Sequence, residues 1–478
     1  MSEAQKSTAT KAKKPKAKAK AKSNVQSTAP QAAEATKQVS APKTNGAKPT
    51  EAPKAAAAKP SEAPKQASAP KANGAKPSEA PKAAAAKPSA TPEASAPEVE
   101  TTRAERVRVA PAAKAPTGGA ERTLDQKLDA KLRTPICDLF GIDYPIVQTG
   151  MGWVSGAQLT AATSAAGGLG ILAAATMTFE ELEQAITRVK DTTDRNFGVN
   201  LRADQADVMK RVELLIDAKV KVASFAQAPG KAVIARLKEA GVLTMPTIGA
   251  QRHAQKVAEW GVDSVIAQGH EGGGHTGNVP THILMRQVAD VVSFPFLGAG
   301  GFSDGRGLVS AMASGASGIA MGTRFLLTQE SQVPEHIKAQ YVKTPIDGTV
   351  VTRAIDGYPQ RVIRTPMIDE LEQASPLTRF PKAARNALTL MKLTNTKLVD
   401  MMQEGRAMKE SKGLTWSQLA MAANAPMLTK ASMVDGRDSG ILPTGQVVGV
   451  IDELPTVAEL IRRIMAEAKV ALAALQVD

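Results

Sequence analysis

A sharp change of composition near residue 119 decides how much of this chain can fold. Residues 1–118 contain no Phe, Trp or Tyr and are mostly Ala, Lys, Pro, Ser and Thr. Such a stretch cannot bury enough apolar surface to offset the chain entropy that folding would cost. We therefore predict a disordered tail over residues 1–118 and a folded body after it.

The positive charge lies in the same tail. Residues 1–118 hold 22 of the 60 Lys+Arg but only 9 of the 46 Asp+Glu, so the body is close to neutral. The cluster Lys11–Lys22 alternates Lys with small residues and lacks an aromatic side chain on which a base could stack. The tail is thus either a solvated linker without a partner or a weak, sequence-independent contact for nucleic acid or another polyanion.

The cysteine content and the hydropathy of the sequence indicate in which cellular compartment the protein works. The single cysteine, Cys137, leaves no internal disulfide and no thiolate cluster for a metal, which fits a reducing compartment. The sequence has no apolar secretion segment and no uncharged apolar run of about 18 residues that could span a membrane. We expect a cytoplasmic protein without a metal site.

From Leu132 onward, short apolar runs alternate with amphipathic stretches, which is typical of βα units around a parallel sheet. Eight strands are predicted: Pro145–Val147, Leu169–Leu172, Phe197–Asn200, Val222–Ala226, Leu243–Thr247, Ser264–Gln268, Phe296–Ala299 and Gly318–Met321. The fold class is α/β, and we expect a (β/α)₈ TIM barrel over residues 119–330, with an open doubly wound sheet as the alternative. Helical patterns dominate afterwards, so residues 331–478 should form a mainly helical lid or subdomain over the barrel mouth.

Glycine-rich turns follow the last two predicted strands. Barrel enzymes form their sites from the loops at the carboxyl ends of the strands. Gly300 and Gly301 follow the seventh strand, and Gly322 and Thr323 follow the eighth. Exposed backbone N–H groups there can bind an anion, so we predict a phosphate site; the alternative is that these glycines only make tight turns.

The loop Gln268–Gly277 (QGHEGGGHTG) carries the most reactive side chains. Its two histidines are five residues apart and separated by glycines, so they lack the helical spacing of a zinc motif. A glycine-flanked imidazole is free to face a cofactor and titrates near neutral pH, which suits a proton acceptor. His275 is the favoured base, and His270 is a weaker candidate for the same pocket.

Together these segments resemble the nitronate monooxygenase family, formerly called 2-nitropropane dioxygenases, whose relatives include flavin-dependent enoyl-ACP reductases. The resemblance runs from Arg133 to Met465. It is carried by Pro145–Gln148 with Met151–Gly152, Ala166–Gly170, Asn200, the Gln268–Gly277 loop, Gly300–Gly301 and Gly322–Phe325.

The resemblance implies an FMN at the barrel mouth and a catalytic role for His275. Its implied contacts are Met151, Gly152 and Asn200 to the flavin, Gln268, Gly273 and Gly274 to its ring or ribityl chain, and Gly300, Gly301, Gly322 and Thr323 to its phosphate. His275 would take a proton from a carbon beside an electron-withdrawing group. The electrons would then pass to FMN and on to O₂.

One departure from the family pattern opens a second enzymatic hypothesis. The family loop usually reads Glu-Ala-Gly-Gly-His, whereas Gly272 follows Glu271 here. With Leu414–Gln418, this variant resembles actinobacterial NAD(P)H-dependent flavin oxidoreductases of steroid-ring degradation, which act on CoA thioesters. Three hypotheses therefore stand: a nitronate oxidase using FMN and O₂, an NAD(P)H-dependent flavin reductase or dehydrogenase acting on an acyl-CoA, and a polyanion-binding scaffold with a vestigial barrel.

Overall fold

A computed structural model of the chain describes residues 119–373, 416–437 and 440–475. The predicted tail and the motif residues Leu414 and Thr415 lie outside them. The strands are β1 (Ile146–Gln148), β2 (Leu169–Ala173), β3 (Gly198–Leu201), β4 (Val222–Phe225), β5 (Leu243–Ile248), β6 (Ile266–Gln268), β7 (Gly274–His275), β8 (Leu297–Ala299), β9 (Ile319–Met321), β10 (Thr349–Thr352) and β11 (Gln360–Ile363).

Helices alternate with these strands through most of the described chain. They are α1 (Gly119–Leu132), α2 (Pro135–Phe140), α3 (Ala157–Ala165), α4 (Phe179–Thr192), α5 (Val208–Asp217), α6 (Lys231–Glu239), α7 (Gln251–Ala258), α8 (Thr281–Ala289), α9 (Gly305–Ala313), α10 (Thr323–Leu326), α11 (Glu335–Lys343), α12 (Pro366–Gln373), α13 (Trp416–Met433) and α14 (Val457–Ala474). Short 3₁₀ turns lie at Ala174–Thr176 and Gln446–Val450.

Eight parallel strands close into a barrel in the order β1-β2-β3-β4-β5-β6-β8-β9. The ring closes where β1 pairs with β9, Val147 lying opposite Ala320. The closed barrel is therefore confirmed, and the open doubly wound alternative is wrong. Each of the eight predicted strands is present, because these short apolar runs are buried between the barrel interior and the surrounding helices.

Helix α4 illustrates why the intervening segments fold as they do. Thr178 and Glu181 form a capping box at its start, each side chain bonding the backbone N–H of the other residue. Leu182, Ile186 and Val189 recur at three- and four-residue spacing and are all buried against the barrel. The spacing of apolar residues in the sequence thus fixes which face of α4 points inward.

The last helix, α14, belongs to the outer ring of the barrel. It packs against α9, α3 and α1. Its contact with α9 is close, since a Cβ built on Gly305 would lie 2.2 Å from the Ala468 nitrogen and 2.3 Å from the Ile464 oxygen. Within the segment after residue 330, which the sequence analysis expects to form a helical lid or subdomain, α14 therefore packs on helices of the barrel.

The chain between β9 and α14 also holds a strand pair that the sequence analysis did not predict. Strands β10 and β11 pair antiparallel, and β11 pairs antiparallel with β7. In that register Gln360 lies opposite His275, and Arg361 lies opposite Gly274. A small sheet therefore ties the C-terminal region to the loop after β6. None of the helices in the described chain is long and apolar enough to cross a membrane.

Candidate active site

The loop after β1 is held rigidly by Ser155. The hydroxyl of Ser155 accepts the Met151 N–H at 2.9 Å and donates to the Thr149 carbonyl at 2.9 Å. The buried Gln148 amide adds a bond to the same hydroxyl at 2.8 Å. Met151 is thereby placed beside the loop after β9, its sulfur 3.4 Å from where a Cβ on Gly322 would lie.

Asn200 lies buried at the end of β3. Its amide nitrogen donates to the Ser224 hydroxyl at 3.1 Å. Gly150 packs on it so closely that a Cβ at position 150 would lie 2.4 Å from the Asn200 Cβ. A Cβ on Gly152 would instead lie 2.9 Å from the methyl carbon of Thr176. The three predicted flavin contacts from these loops thus have different neighbours: Met151 meets Gly322, Asn200 meets Ser224 and Gly152 meets Thr176.

The predicted phosphate loops follow the neighbouring strands β8 and β9. Gly300 and Gly301 both have positive φ, at 101° and 85°, a region that favours glycine. A Cβ on Gly300 would lie 2.9 Å from both the Gly272 nitrogen and the Thr281 hydroxyl. The loop after β8 therefore packs directly against the loop that carries His275.

A C-terminal segment completes this part of the site. The Gly445 N–H donates to the Thr323 hydroxyl at 2.8 Å, and the Gln446 N–H donates to the Glu271 carbonyl at 3.0 Å. A Cβ on Gly273 would lie only 2.5 Å from the Gly445 nitrogen. The sequence analysis missed Gly445. In the sequence Gly445 belongs to Pro443-Thr444-Gly445, which contains no side chain typical of a catalytic residue.

Arg324 anchors α10, the short helix that starts at Thr323. Its buried guanidinium donates to the carbonyls of Leu327 at 3.0 Å and Glu453 at 3.1 Å. Burial lowers the pKa of Arg324 to about 10, although the neighbouring Glu453 carboxylate opposes this. The turn after β9 is thereby joined to the segment that leads into α14.

The loop after β6 is braced at both ends. The Glu271 carboxylate accepts the Thr281 N–H at 2.9 Å and the Thr281 hydroxyl at 2.6 Å, at the start of α8. The Gln268 amide donates to the His275 carbonyl at 2.8 Å. A Cβ on Gly272 would lie 2.7 Å from that amide nitrogen, so the glycine at this position leaves room for Gln268. Gly274, at φ 64°, has no atom within 4 Å of its Cβ position.

His275 lies at the barrel mouth beside an aspartate that the sequence analysis missed. Its Nε2 is 2.7 Å from the Asp356 carboxylate, and its side chain is 62% exposed against 16% for Asp356. The Tyr358 ring stands edge-on to the imidazole, with centroids 6.1 Å apart. An exposed imidazole can accept a proton, and a carboxylate beside it stabilises the resulting imidazolium.

Further bonds hold the Asp356 carboxylate ionised. Burial acts to raise its pKa, but the hydrogen bond and charge of His275, together with the hydrogen bonds from Tyr358 and Gln360, outweigh burial. The Tyr358 N–H donates to its Oδ1 at 3.0 Å, and the Gln360 amide donates to its Oδ2. The pKa of Asp356 is therefore held below its ordinary value. The only local signal in the sequence was an Asp-Gly turn 81 residues from the histidine.

Three of the other four histidines have structural partners. His270 Nδ1 bonds the Gly277 carbonyl at 2.9 Å and closes its own loop. His282 bonds the Ser314 hydroxyl at 3.1 Å between α8 and α9, and His336 bonds the Gly436 carbonyl at 2.7 Å. Among the histidines in the described chain, His275 alone has a carboxylate partner. In that part of the chain no cluster of three His, Cys, Asp or Glu side chains could hold a metal ion.

Comparisons with known proteins identify the family of this chain. The family model for nitronate monooxygenase matches residues 133–211 and 206–467. The chain is 54% identical over 342 residues to the (3aS,4S,5R,7aS)-5-hydroxy-7a-methyl-1-oxo-octahydro-1H-indene-4-carboxyl-CoA dehydrogenase of Mycobacterium tuberculosis (strain ATCC 25618 / H37Rv), covering 71% of this chain and 96% of that protein.

Two further relatives are more distant. A probable nitronate monooxygenase of Staphylococcus aureus (strain JH9) is 31% identical over 284 residues, and the match covers 50% of this chain and 80% of that protein. Among solved structures, FabK from Thermotoga maritima is similar at a TM-score of 0.58 and 33% identity, covering 72% of this chain and 98% of that one.

Proposed function

Because this chain belongs to the nitronate monooxygenase family, we propose that it is a flavin-dependent oxidoreductase that dehydrogenates a hydroxylated bicyclic acyl-CoA, with His275 as its base. The greater identity to the mycobacterial CoA dehydrogenase, over almost the whole length of that protein, carries this proposal. It favours the second hypothesis of the sequence analysis over nitronate oxidation, because the probable nitronate monooxygenase matches only half of this chain.

The residues at the mouth fit an FMN. Gly300 and Gly301 have positive φ, a conformation that favours glycine, so no side chain covers their loop. The space where a Cβ would stand on Gly274 or Gly301 holds no atom closer than 3.7 Å. Such loops let a planar, phosphorylated ligand approach the backbone. We assign the phosphate to Gly300, Gly301, Gly322 and Thr323, and the ring and ribityl chain to Met151, Gly152, Asn200, Gln268, Gly273 and Gly274. When bound, the flavin supplies the acceptor for two electrons.

The chemistry of His275 follows from the class of substrate. The name of the mycobacterial relative puts a hydroxyl on the ring carbon next to the one that bears the CoA thioester. Oxidising that alcohol to a ketone removes the hydroxyl proton and one C–H hydrogen with its electron pair. His275 takes the proton, Asp356 stabilises the resulting imidazolium, and the electron pair leaves for the acceptor. NAD(P)⁺ or O₂ then serves as the final oxidant.

Nitronate oxidation is the second candidate. The family model and the staphylococcal relative favour it. In that reaction His275 would take the proton from the carbon that bears the nitro group of a nitroalkane, and the nitronate so formed would be oxidised with O₂ as the final oxidant. The two candidates share the base and the flavin, so only the substrate distinguishes them.

A substrate panel tests the proposal. The full chain is incubated with the hydroxylated indane-carboxyl-CoA ester, with the same ring acid lacking CoA, and with an alkyl nitronate, each with NAD⁺, with NADP⁺, or with O₂ alone. We expect mass spectrometry to detect a product lacking two hydrogen atoms from the CoA ester only. Turnover of the nitronate but not of the ester would support the second candidate and reject the first.

A further inference from the structure

The segment between β10 and β11 builds the surroundings of His275 from outside the barrel. Strand β11 pairs with β7 so that Gln360 lies opposite His275. The Thr276 N–H donates to the Pro359 carbonyl at 3.0 Å, which extends the same attachment. The backbone of the histidine is therefore held by strand pairing, independently of what its imidazole does.

The imidazole has a separate partner from the same segment. Asp356 reaches Nε2 at 2.7 Å, and its carboxylate also receives the Tyr358 N–H and the Gln360 amide. The Tyr358 N–H and the Gln360 amide are both donors, and an ionised carboxylate can only accept hydrogen bonds. Nε2 must therefore carry a proton whenever this bond forms.

We propose that Asp356 is a positioning residue that fixes the tautomer of His275, leaving Nδ1 as the atom that exchanges the proton with substrate. This inference rests on the proposed function of His275 as a base. A neutral imidazole carries one N–H, so a proton fixed on Nε2 leaves the lone pair on Nδ1. Once Nδ1 takes up a proton, the carboxylate faces a full positive charge at hydrogen-bond distance.

Substitution Asp356→Asn separates this role from simple bracing of the turn. The asparagine oxygen still accepts the Tyr358 N–H, and the Gln360 amide can turn its oxygen towards the new amide. The asparagine amide would donate to Nε2 and force the proton onto Nδ1, as in serine proteases whose triad Asp is replaced by Asn. A carboxylate that only braced the turn would leave the tautomer unchanged when replaced in this way.

The test uses the full flavin-loaded chain labelled with ¹⁵N-histidine, because five histidines give few imidazole signals. Loss of one set in His275→Gln assigns the signal. We expect Nε2–H in the wild type and Nδ1–H in Asp356→Asn. Turnover should fall about 10- to 100-fold in kcat, part of the 10²–10⁴-fold that a general base supplies, with KM nearly unchanged. Asp356→Glu should restore the wild-type tautomer.

Controls separate this inference from the proposed function. Asp347→Asn removes the charge of an exposed aspartate elsewhere in the C-terminal region and should change neither tautomer nor kcat. An unchanged tautomer and kcat in Asp356→Asn, with His275→Gln inactive, would overturn the inference and leave the proposed function standing. Full activity of His275→Gln would instead reject the proposed function, while the tautomer would still decide the role of Asp356. Should Asp356→Asn fail to fold, Asp356→Ser removes the carboxylate that requires a proton on Nε2 and should leave a mixture of the two tautomers. A proton still fixed on Nε2 in that variant would overturn the inference.

Discussion

Gly273→Ala tests whether the contact between the His275 loop and the C-terminal segment forms part of the flavin site. An added methyl would lie 2.5 Å from the Gly445 nitrogen and 2.5 Å from the Thr444 carbonyl carbon, whereas ordinary contacts begin at 3.4 Å. Both neighbours are backbone, so the two segments must separate by about 1 Å, an overpacking that typically costs about 1–3 kcal/mol. The 2.8 Å bond from the Gly445 N–H to Thr323 would stretch beyond hydrogen-bond length.

Flavin affinity should report this displacement. If most of the strain is borne by the site, FMN should bind about 10- to 100-fold more weakly, since 1.4 kcal/mol corresponds to a factor of ten. Titration of the flavin-free chain with FMN, followed by flavin fluorescence, measures the affinity. The ratio of visible to protein absorbance after gel filtration measures flavin retention.

A matched glycine provides the control. A Cβ on Gly318 would lie 2.4 Å from the Pro145 carbonyl oxygen, at the opposite end of the barrel. Gly318→Ala should lower the free energy of unfolding by a similar amount without weakening FMN binding. Wild-type flavin affinity in Gly273→Ala, together with the stability loss seen in Gly318→Ala, would refute the assignment of this contact to the flavin site.

Three further outcomes follow from the structure. Arg324→Leu leaves the buried Leu327 carbonyl and the part-buried Glu453 carbonyl without this donor and should lower the free energy of unfolding by about 2–3 kcal/mol. Urea unfolding of the wild type and variant measures this, and a loss below about 0.5 kcal/mol would contradict the anchoring role. Because the pKa of Asp356 is lowered in the fold, its ionic pairing stabilises the protein above the ordinary aspartate pKa of about 4 and is lost as pH falls through the lowered value. The stability difference between wild type and Asp356→Asn should thus shrink below about pH 4 in urea unfolding, and a constant difference would argue against it. Deletion of residues 1–118 should leave turnover intact and weaken salt-sensitive binding to a polyanion such as heparin; a large loss of turnover would reject the view of the tail as an appendage.

The barrel could be predicted because its strands are local patterns. Runs such as Leu169–Leu172 and Val222–Ala226 are mostly apolar, with Ser224 the exception, so each can be recognised as a buried strand without knowing what lies beside it. The helical spacing of apolar residues in α14 could be recognised equally well, since Leu460, Ile461 and Ile464 form a buried face. That face does not say which surface it covers, so the packing of α14 against α9, α3 and α1 could not be predicted.

The sequence points to His275 as the candidate base but does not point to its partner Asp356. His275 lies in a glycine-rich loop that follows a strand, a context that points to exposed chemistry. Asp356 is one aspartate in a surface turn, and nothing within several residues of it differs from an ordinary Asp-Gly turn. The pairing arises from the register of β11 against β7, which is a long-range contact. Gly445 was missed for the same reason, because its role lies in a close backbone approach.

The visible spectrum of the purified chain, recorded without oxygen before and after the hydroxylated acyl-CoA is added, tests the central claim most directly. We expect a flavin spectrum that bleaches on mixing with one equivalent of the ester, and that remains unbleached in His275→Gln. A colourless protein that releases no FMN on acid treatment, or a flavin that stays oxidised in the wild type, would contradict the account.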